Sequence, residues 1–171
     1  MEYIDKTKLS NEGEASIDAF LKRLQEAGEY PDDLYEAFKS DKDENGEYSK
    51  DKLIKVLLTE QDNHCCYCMK KLDRNEDEIT LEHLVPNSIA ERQKYNEYFK
   101  RNTVLNNKVC LAKDFIDKNE TNTPPYPHTV AYENLAASCN GKFFSRTEKY
   151  VQCCNLKREN KYMERFVRHH S

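Results

Sequence analysis

Long apolar runs are missing from this 171-residue chain. Val56-Leu57-Leu58 is typical of its longest aliphatic stretches. That is far short of the roughly 20 residues that cross a bilayer, so a helical membrane protein is excluded. An apolar leader is missing as well: Met1 to Lys8 alternates charges, and the expectation is a protein that is not exported. Hydrophobic residues are scarce, 37% against 34% charged, with a mean hydropathy of -0.98. A large self-sufficient core does not fit that balance; a small core braced by a metal or a partner does. The net charge is only -4, and 11 tyrosines and 7 phenylalanines are present, which together exclude wholesale disorder.

Cysteine, by contrast, is plentiful, with seven residues. Without an export leader they point to the cytosol, where thiols hold metals or do chemistry more often than they form disulfides. A thiol redox enzyme using Cys65 and Cys68 would need a βαβ context that the pattern lacks. The charge is unevenly spread. Residues 1–60 carry a net -7, residues 61–141 a net -2, and residues 142–171 a net +5. The basic end, with Lys157, Arg158 and Lys161 among its cations, suits phosphate contacts or a solvated helix face.

Residues 1–60 read as a helical N-terminal extension. Ile17, Phe20, Leu21 and Leu24 recur at helical spacing, predicting a helix over about 15–27 closed by Gly28. Pro31-Asp32-Asp33 predicts the start of a short helix bearing Leu34, Tyr35 and Phe38. Asp41 to Gly46 is a polar turn, and Ser49 is an N-cap candidate for a helix carrying Leu53 to Leu58. These apolar positions read as ordinary core. From His64 the character changes: cysteines cluster, and Glu78 to Leu84 alternates as a strand does. Pro86-Asn87-Ser88 ends the strand and opens a polar helix to about Lys100. Residues 101–118 read as helical, 119–128 as a proline-bearing loop, and the chain from Asn155 as a basic helix.

Cys65 and Cys68 form a C-x2-C knuckle able to aim two thiolates at one ion. Cys139 with Cys154 or Cys153 would complete a tetrahedral site. Cys110, alone in its segment, reads as a buried apolar residue, and Cys66 as either a rival ligand or core. Between the two thiol pairs stand Glu82 and His83 at a strand end, and Asn134 leading into Cys139. Asn155 follows Cys154. A carboxylate, an imidazole, two carboxamides and nearby cations together are the parts of a hydrolytic site.

These blocks carry a resemblance. Cys65-Cys-Tyr-Cys68, Leu81-Glu-His-Leu-Val-Pro86, Glu133-Asn-Leu-Ala-Ala-Ser-Cys139 and Cys153-Cys-Asn-Leu-Lys-Arg158, in that order, resemble the zinc-bound HNH endonuclease family. The likeness is nearest to its Septu-type and retron-associated antiphage branch, and it covers about residues 53–160. The resemblance implies an α+β, mostly helical chain. Residues 61–171 would hold a ββα-metal core with structural zinc, behind the helical extension of residues 1–60. It implies His83 as general base, Glu82 and Asn155 as ligands of a catalytic Mg2+ or Mn2+, and Asn134 as the residue orienting the His83 loop. Cys65, Cys68, Cys139 and Cys154 would hold zinc, with Cys153 as the register alternative. Mg2+ prefers the oxygen of Asn155 to a thiolate, which favours Cys154. The segment from Gly141 to Gln152 is longer than the family's usual gap between its third and fourth cysteines.

The function implied is metal-dependent cleavage of phosphodiester bonds, DNA being favoured, as the effector of an antiviral defence system with an ATPase partner. Lys157, Arg158 and Lys161 would contact flanking phosphates without reading bases. The acidic surplus argues against tight autonomous binding of nucleic acid, which is a reason to expect the partner. The rival expectations are an RNA (tRNA-type) nuclease, since nothing in these residues reads a 2′-hydroxyl, and a non-catalytic zinc-stabilised binding module.

Overall fold

Helical spacing in the first 30 residues produces α1 (Ser10–Ala27), which begins five residues earlier than the apolar pattern alone predicts. Gly28 closes it in the left-handed region, at φ 81°, donating its N–H to the Gln25 carbonyl. The computed structural model describes residues 4–28, 30–75, 78–100, 105–118, 124–144, 150–152 and 154. Asp33 caps α2 (Leu34–Ser40) by accepting from the Tyr35 and Glu36 N–H groups. In α3 (Ser49–Glu60) Ser49 is the first helical residue, not the cap. Its hydroxyl is already engaged: it donates to Asp41 and accepts from Arg23 at 2.8 Å.

The turn between α2 and α3 has an order of its own. Asp41-x-Asp43-x-Asn45-Gly46 follows the opening pattern of an EF-hand-type loop, whose twelfth position is normally a bidentate glutamate. Here the twelfth position is Lys52, and its ammonium pairs with Asp43. Arg23 of α1 holds Asp41 in a two-pronged bond at 3.1 and 2.5 Å. Gly46, at φ 79°, makes the tight corner. The Asp43 carboxyl is held down to about 2, first by the Lys52 hydrogen bond and then by the Glu47 N–H. Side-chain cations of this chain thus neutralise the loop.

Beyond α3, β1 (Ile79–His83) pairs antiparallel with β4 (Leu135–Cys139), Ile79 facing Cys139 and His83 facing Leu135. Every residue of β4 is buried. The polar segment after Pro86 becomes helical only at α4 (Arg92–Lys100). Residues 105–118 are not one helix. A 3-10 turn at Leu105–Asn107 leads to β2 (Val109–Cys110), which lies parallel to β3 (Tyr126–Pro127), and then to α5 (Ala112–Lys118). The strand wins at Val109 because the Tyr126 and His128 N–H groups reach the Lys108 and Cys110 carbonyls, both at 2.8 Å. The long segment after Cys139 folds back on itself as β5 (Lys142–Phe144) and β6 (Tyr150–Gln152), an antiparallel pair. The basic helix expected from Asn155 lies outside the described residues.

One hydrophobic cluster runs from Ile17 and Phe20 of α1 through Leu57 of α3 to Leu81, Leu135 and Cys139. The helical segment therefore packs into the same core as the cysteine-bearing hairpin. The closest approach is at Gly13: a Cβ there would sit 2.2 Å from the buried Tyr132 ring. Gly13→Ala is expected to force α1 off that ring, lowering stability by ~1–3 kcal/mol or more in denaturant melts. Lys52→Glu should lower the melting temperature in chelator, and millimolar Ca2+ should restore it. A melt indifferent to Ca2+ would show that Arg23 and the backbone bonds set the loop without Lys52.

Candidate functional site

The knuckle begins where α3 ends. Asp62 and Asn63 take positive φ angles, 49° and 57°, and Met69 does so at 58°. These turns fold the chain back so that the Cys65 N–H meets the Lys70 carbonyl at 2.9 Å. Gln61 fixes the knuckle to the hairpin. Its amide nitrogen donates to the His64 carbonyl at 2.7 Å and to the Ala137 carbonyl at 2.9 Å, while its oxygen accepts the Ala137 N–H at 2.8 Å. A side-chain amide thus serves the edge of β4 as a neighbouring strand would.

Four thiols meet at this junction. Cys65 and Cys68 come from the knuckle, Cys139 from the end of β4, and Cys154 from just beyond β6, and all four sulfur atoms lie within 4.8 Å of one another. The Sγ–Sγ distances are 3.8 Å for Cys65–Cys139, 3.9 Å for Cys65–Cys154, 4.0 Å for Cys68–Cys139 and 3.5 Å for Cys139–Cys154. A tetrahedron with Zn–S bonds of ~2.3 Å has edges of roughly 3.8 Å. The donor set and its spacing therefore fit a closed, structural zinc. The β5–β6 hairpin explains how the long segment leaves the set intact: its antiparallel course returns the chain to Cys139. Cys153 lies outside the described residues, and Cys154 is in the cluster.

Backbone and thiol groups favour charge here. The Cys65 thiol is pulled down to about 3, first by a hydrogen bond from the Cys66 thiol and then by N–H groups of Cys68, Cys139 and Tyr67. The Cys139 N–H lies 3.4 Å from the Cys65 sulfur. Burial pushes the Cys139 thiol the other way, up to about 12. The Cys65 thiolate forms readily, and the buried Cys139 thiol needs a cation beside it to ionise.

The strand pair that ends at Cys139 also carries Glu82 and His83. Adjacent strand residues point to opposite faces, and the partners follow that rule. Glu82 sits with Thr80, and its carboxylate accepts the hydroxyl of Tyr67, a knuckle residue, at 2.9 Å. His83 is buried on the other face, where its ring meets Tyr35 edge-on at 4.7 Å. Its Nε2 lies 2.8 Å from the Thr129 carbonyl. A carbonyl can only accept, so in the neutral ring Nε2 carries the proton and Nδ1 is the basic nitrogen.

Asn134 holds the loop that follows. Its oxygen accepts the Val85 N–H at 2.7 Å, and its nitrogen donates to the Val85 carbonyl at 3.0 Å and the His128 carbonyl at 2.6 Å. The Leu84 N–H binds the Asn134 backbone carbonyl at 2.9 Å. The segment after His83 is thereby tied to the residue next to Thr129, which receives the imidazole.

Tyr35, read from the sequence as ordinary core, belongs to this site. Its hydroxyl is pushed up to about 12 by burial, with further help from the charges of Glu82 and Glu36. One side chain from α2 thus packs on the imidazole and feels the neighbouring carboxylate. Thr129, Gln61 and Tyr67 were missed in the same way; only Tyr67, inside the knuckle, had a local cue. Of the expected site residues, Asn134 holds the loop after His83, while Glu82 and His83 take opposite faces of β1, against the expectation of one shared pocket. Asn155, Lys157, Arg158 and Lys161 lie outside the described residues. Among the described residues the four thiols are the one grouping of three or more His, Cys, Asp or Glu ligand atoms.

Replacing a ligand should cost the domain its brace. Structural zinc contributes ~10–16 kcal/mol in zinc-finger peptides, comparable to the whole stability of a domain, ~5–15 kcal/mol. Cys139→Ser is therefore expected to lose bound zinc, measured by elemental analysis, and to melt far below the parent chain. Retention of both the metal and the melting temperature would remove Cys139 from the ligand set.

No family model, curated protein or solved structure matches the chain.

Proposed function

We propose that this chain is a metal-dependent HNH-type endonuclease that hydrolyses phosphodiester bonds, with DNA the favoured substrate. The observation that carries the reading is the Asn134 clamp. A buried carboxamide fixes the loop between a strand-end histidine and the carbonyl that sets its tautomer, and the same hairpin ends in a thiol of the tetrahedral cluster.

Hydrolysis needs a water deprotonated and aligned, and a leaving oxygen stabilised. His83, with Nε2 committed to Thr129, takes the proton of the attacking water at Nδ1. Asn134 keeps the ring from turning by holding both strands of the loop. Glu82 and Asn155 are the residues that would hold Mg2+ or Mn2+. That ion, when bound, supplies charge at the scissile phosphate and the departing oxygen. Glu82 suits this because its carboxylate is half-exposed and anchored by Tyr67. The four-thiolate site is closed, so its part is to hold the hairpin and not to activate water. Lys157, Arg158 and Lys161 would grip flanking phosphates.

The acidic first 60 residues repel a polyanion, so delivery of the substrate by an ATPase partner, in an antiphage system, completes the proposal. Nicking of supercoiled plasmid with Mg2+ or Mn2+, the candidate ATPase supplied, tests it. His83→Ala is expected to lower the rate by ~10²–10⁴-fold while zinc content and melting temperature hold. A His83→Ala protein that folds and still nicks at the parental rate would sink the general-base assignment.

A further inference from the structure

Buried charge gathers where α1 meets the turn before β4, and none of it belongs to the hydrolytic machinery. Glu133, in the middle of the 3-10 turn Tyr132–Asn134, is only 4% exposed. Both of its carboxyl oxygens are buried, and neither accepts a hydrogen bond among the described residues. The Glu14 carboxyl of α1 faces it within hydrogen-bond reach. The two elements are in close contact here, since the neighbouring Gly13 lies against the Tyr132 ring.

Two ionised carboxylates do not share a dry contact: each can only accept hydrogen bonds, and their charges repel. One proton resolves both difficulties, because the protonated acid donates to its neighbour. Glu133 is the acid that keeps it. Glu14 pairs with Lys108 at 2.5 Å, and its side chain is the less buried of the two, at 16% exposed. Burial pushes the Glu133 carboxyl up to about 7, and Glu14 pushes the same way, against the dipole of its own N–H and the charge of Lys108.

The cations of the cluster are already engaged. Lys108, at the foot of β2, holds Glu14, and Lys6 holds Glu60 of α3 beside the Tyr132 hydroxyl. Elsewhere on α1, Asp18 accepts the Tyr126 hydroxyl of β3 at 2.7 Å, and Glu12 is exposed. Loss of the Glu133 proton would therefore add a buried anion beside groups that cannot neutralise it.

We infer that a proton held between Glu133 and Glu14 fastens α1 to the turn carrying Asn134, and that its loss loosens this contact, so that the chain carries a pH-operated latch. Glu133 precedes Asn134, whose side chain clamps the loop after His83, so the latch lies at the base of that clamp. The folded chain binds this proton more tightly than the unfolded chain does. Its stabilisation is complete below the ordinary carboxyl range and is lost as pH rises through about 7.

The test uses the full, zinc-loaded chain. In 13C-labelled protein the Glu133 carboxyl resonance, assigned through its own bonds, is followed by NMR from about pH 5 to about pH 9. It is expected to titrate near 7, and at lower pH in Glu14→Gln, which removes the facing charge. Amide exchange of α1, corrected for its intrinsic pH dependence, should quicken at least threefold between about pH 6 and about pH 8.5. In Glu133→Gln, a neutral isostere, it should stay level. That variant should match the parental melting temperature near pH 5.5 and exceed it by roughly 3 °C or more near pH 8.5. The parental titration and exchange profile decide the outcome even if Glu133→Gln folds poorly.

A Glu133 resonance that titrates in the ordinary carboxyl range would overturn the inference, since no proton is then held at neutral pH. Titration near 7 with α1 exchange flat across the range would overturn it too, because the proton would fasten nothing. No nicking assay enters either result, so failure of the latch and failure of the nuclease reading are told apart.

Discussion

The convergence of four sulfur atoms is the constraint on which the rest depends. Cys65 and Cys68 lie on one turn, but Cys139 and Cys154 arrive from the two sides of the β5–β6 hairpin. Holding these three stretches together is an entropic cost that a two-stranded sheet cannot offset alone, since an isolated hairpin is marginal in water. With hydrophobic residues at 37%, a thiol cluster able to hold a metal ion is the kind of brace the composition calls for. The same junction fixes the site. β4 ends at Cys139, so its register against β1 is set from the thiol end, and His83 opposite Leu135 inherits its position from that register.

Two buried carboxamides carry this order outward. Gln61 occupies both backbone groups of Ala137 and reaches the knuckle. Asn134 occupies both backbone groups of Val85 and reaches His128. Each replaces a missing strand by two hydrogen bonds from one side chain, which lets a very small sheet remain satisfied in a buried setting. Loss of either would leave buried backbone groups unpaired, at ~1–3 kcal/mol each. The difference between them is location: one braces the metal end of the hairpin, the other the imidazole end.

Much of this was legible in the sequence, and the reason differs by feature. The helices of the first 60 residues are written in the spacing of Ile17, Phe20, Leu21 and Leu24 and in Asp33, because helix periodicity and capping are local. The thiol set was legible because a C-x2-C turn has few uses besides holding a metal or doing thiol chemistry, and the choice of Cys154 followed from ligand chemistry. The strand at Val109 was not, since its pairing comes from Tyr126, across a loop. Nor were Thr129 and Tyr35: a carbonyl and a phenol ring meet His83 through space, Thr129 from 46 residues away, and nothing in their own neighbourhoods marks them.

The helical extension is therefore better understood as part of the site than as an attachment to it. Through Gly13 it lets the Tyr132 ring sit against α1, and Tyr132 opens the 3-10 turn that ends in Asn134. Through Tyr35 it covers the imidazole from the other side. Lys6 and Glu60, both buried, add a third tie: Lys6 pairs with Glu60 at 3.3 Å and lies over the Tyr132 ring, while the Tyr132 hydroxyl donates to Glu60. A buried ion pair of this kind contributes little net stability after desolvation, but breaking it leaves a charge stranded. It ties the start of the chain and the end of α3 to Tyr132, at the entry to β4.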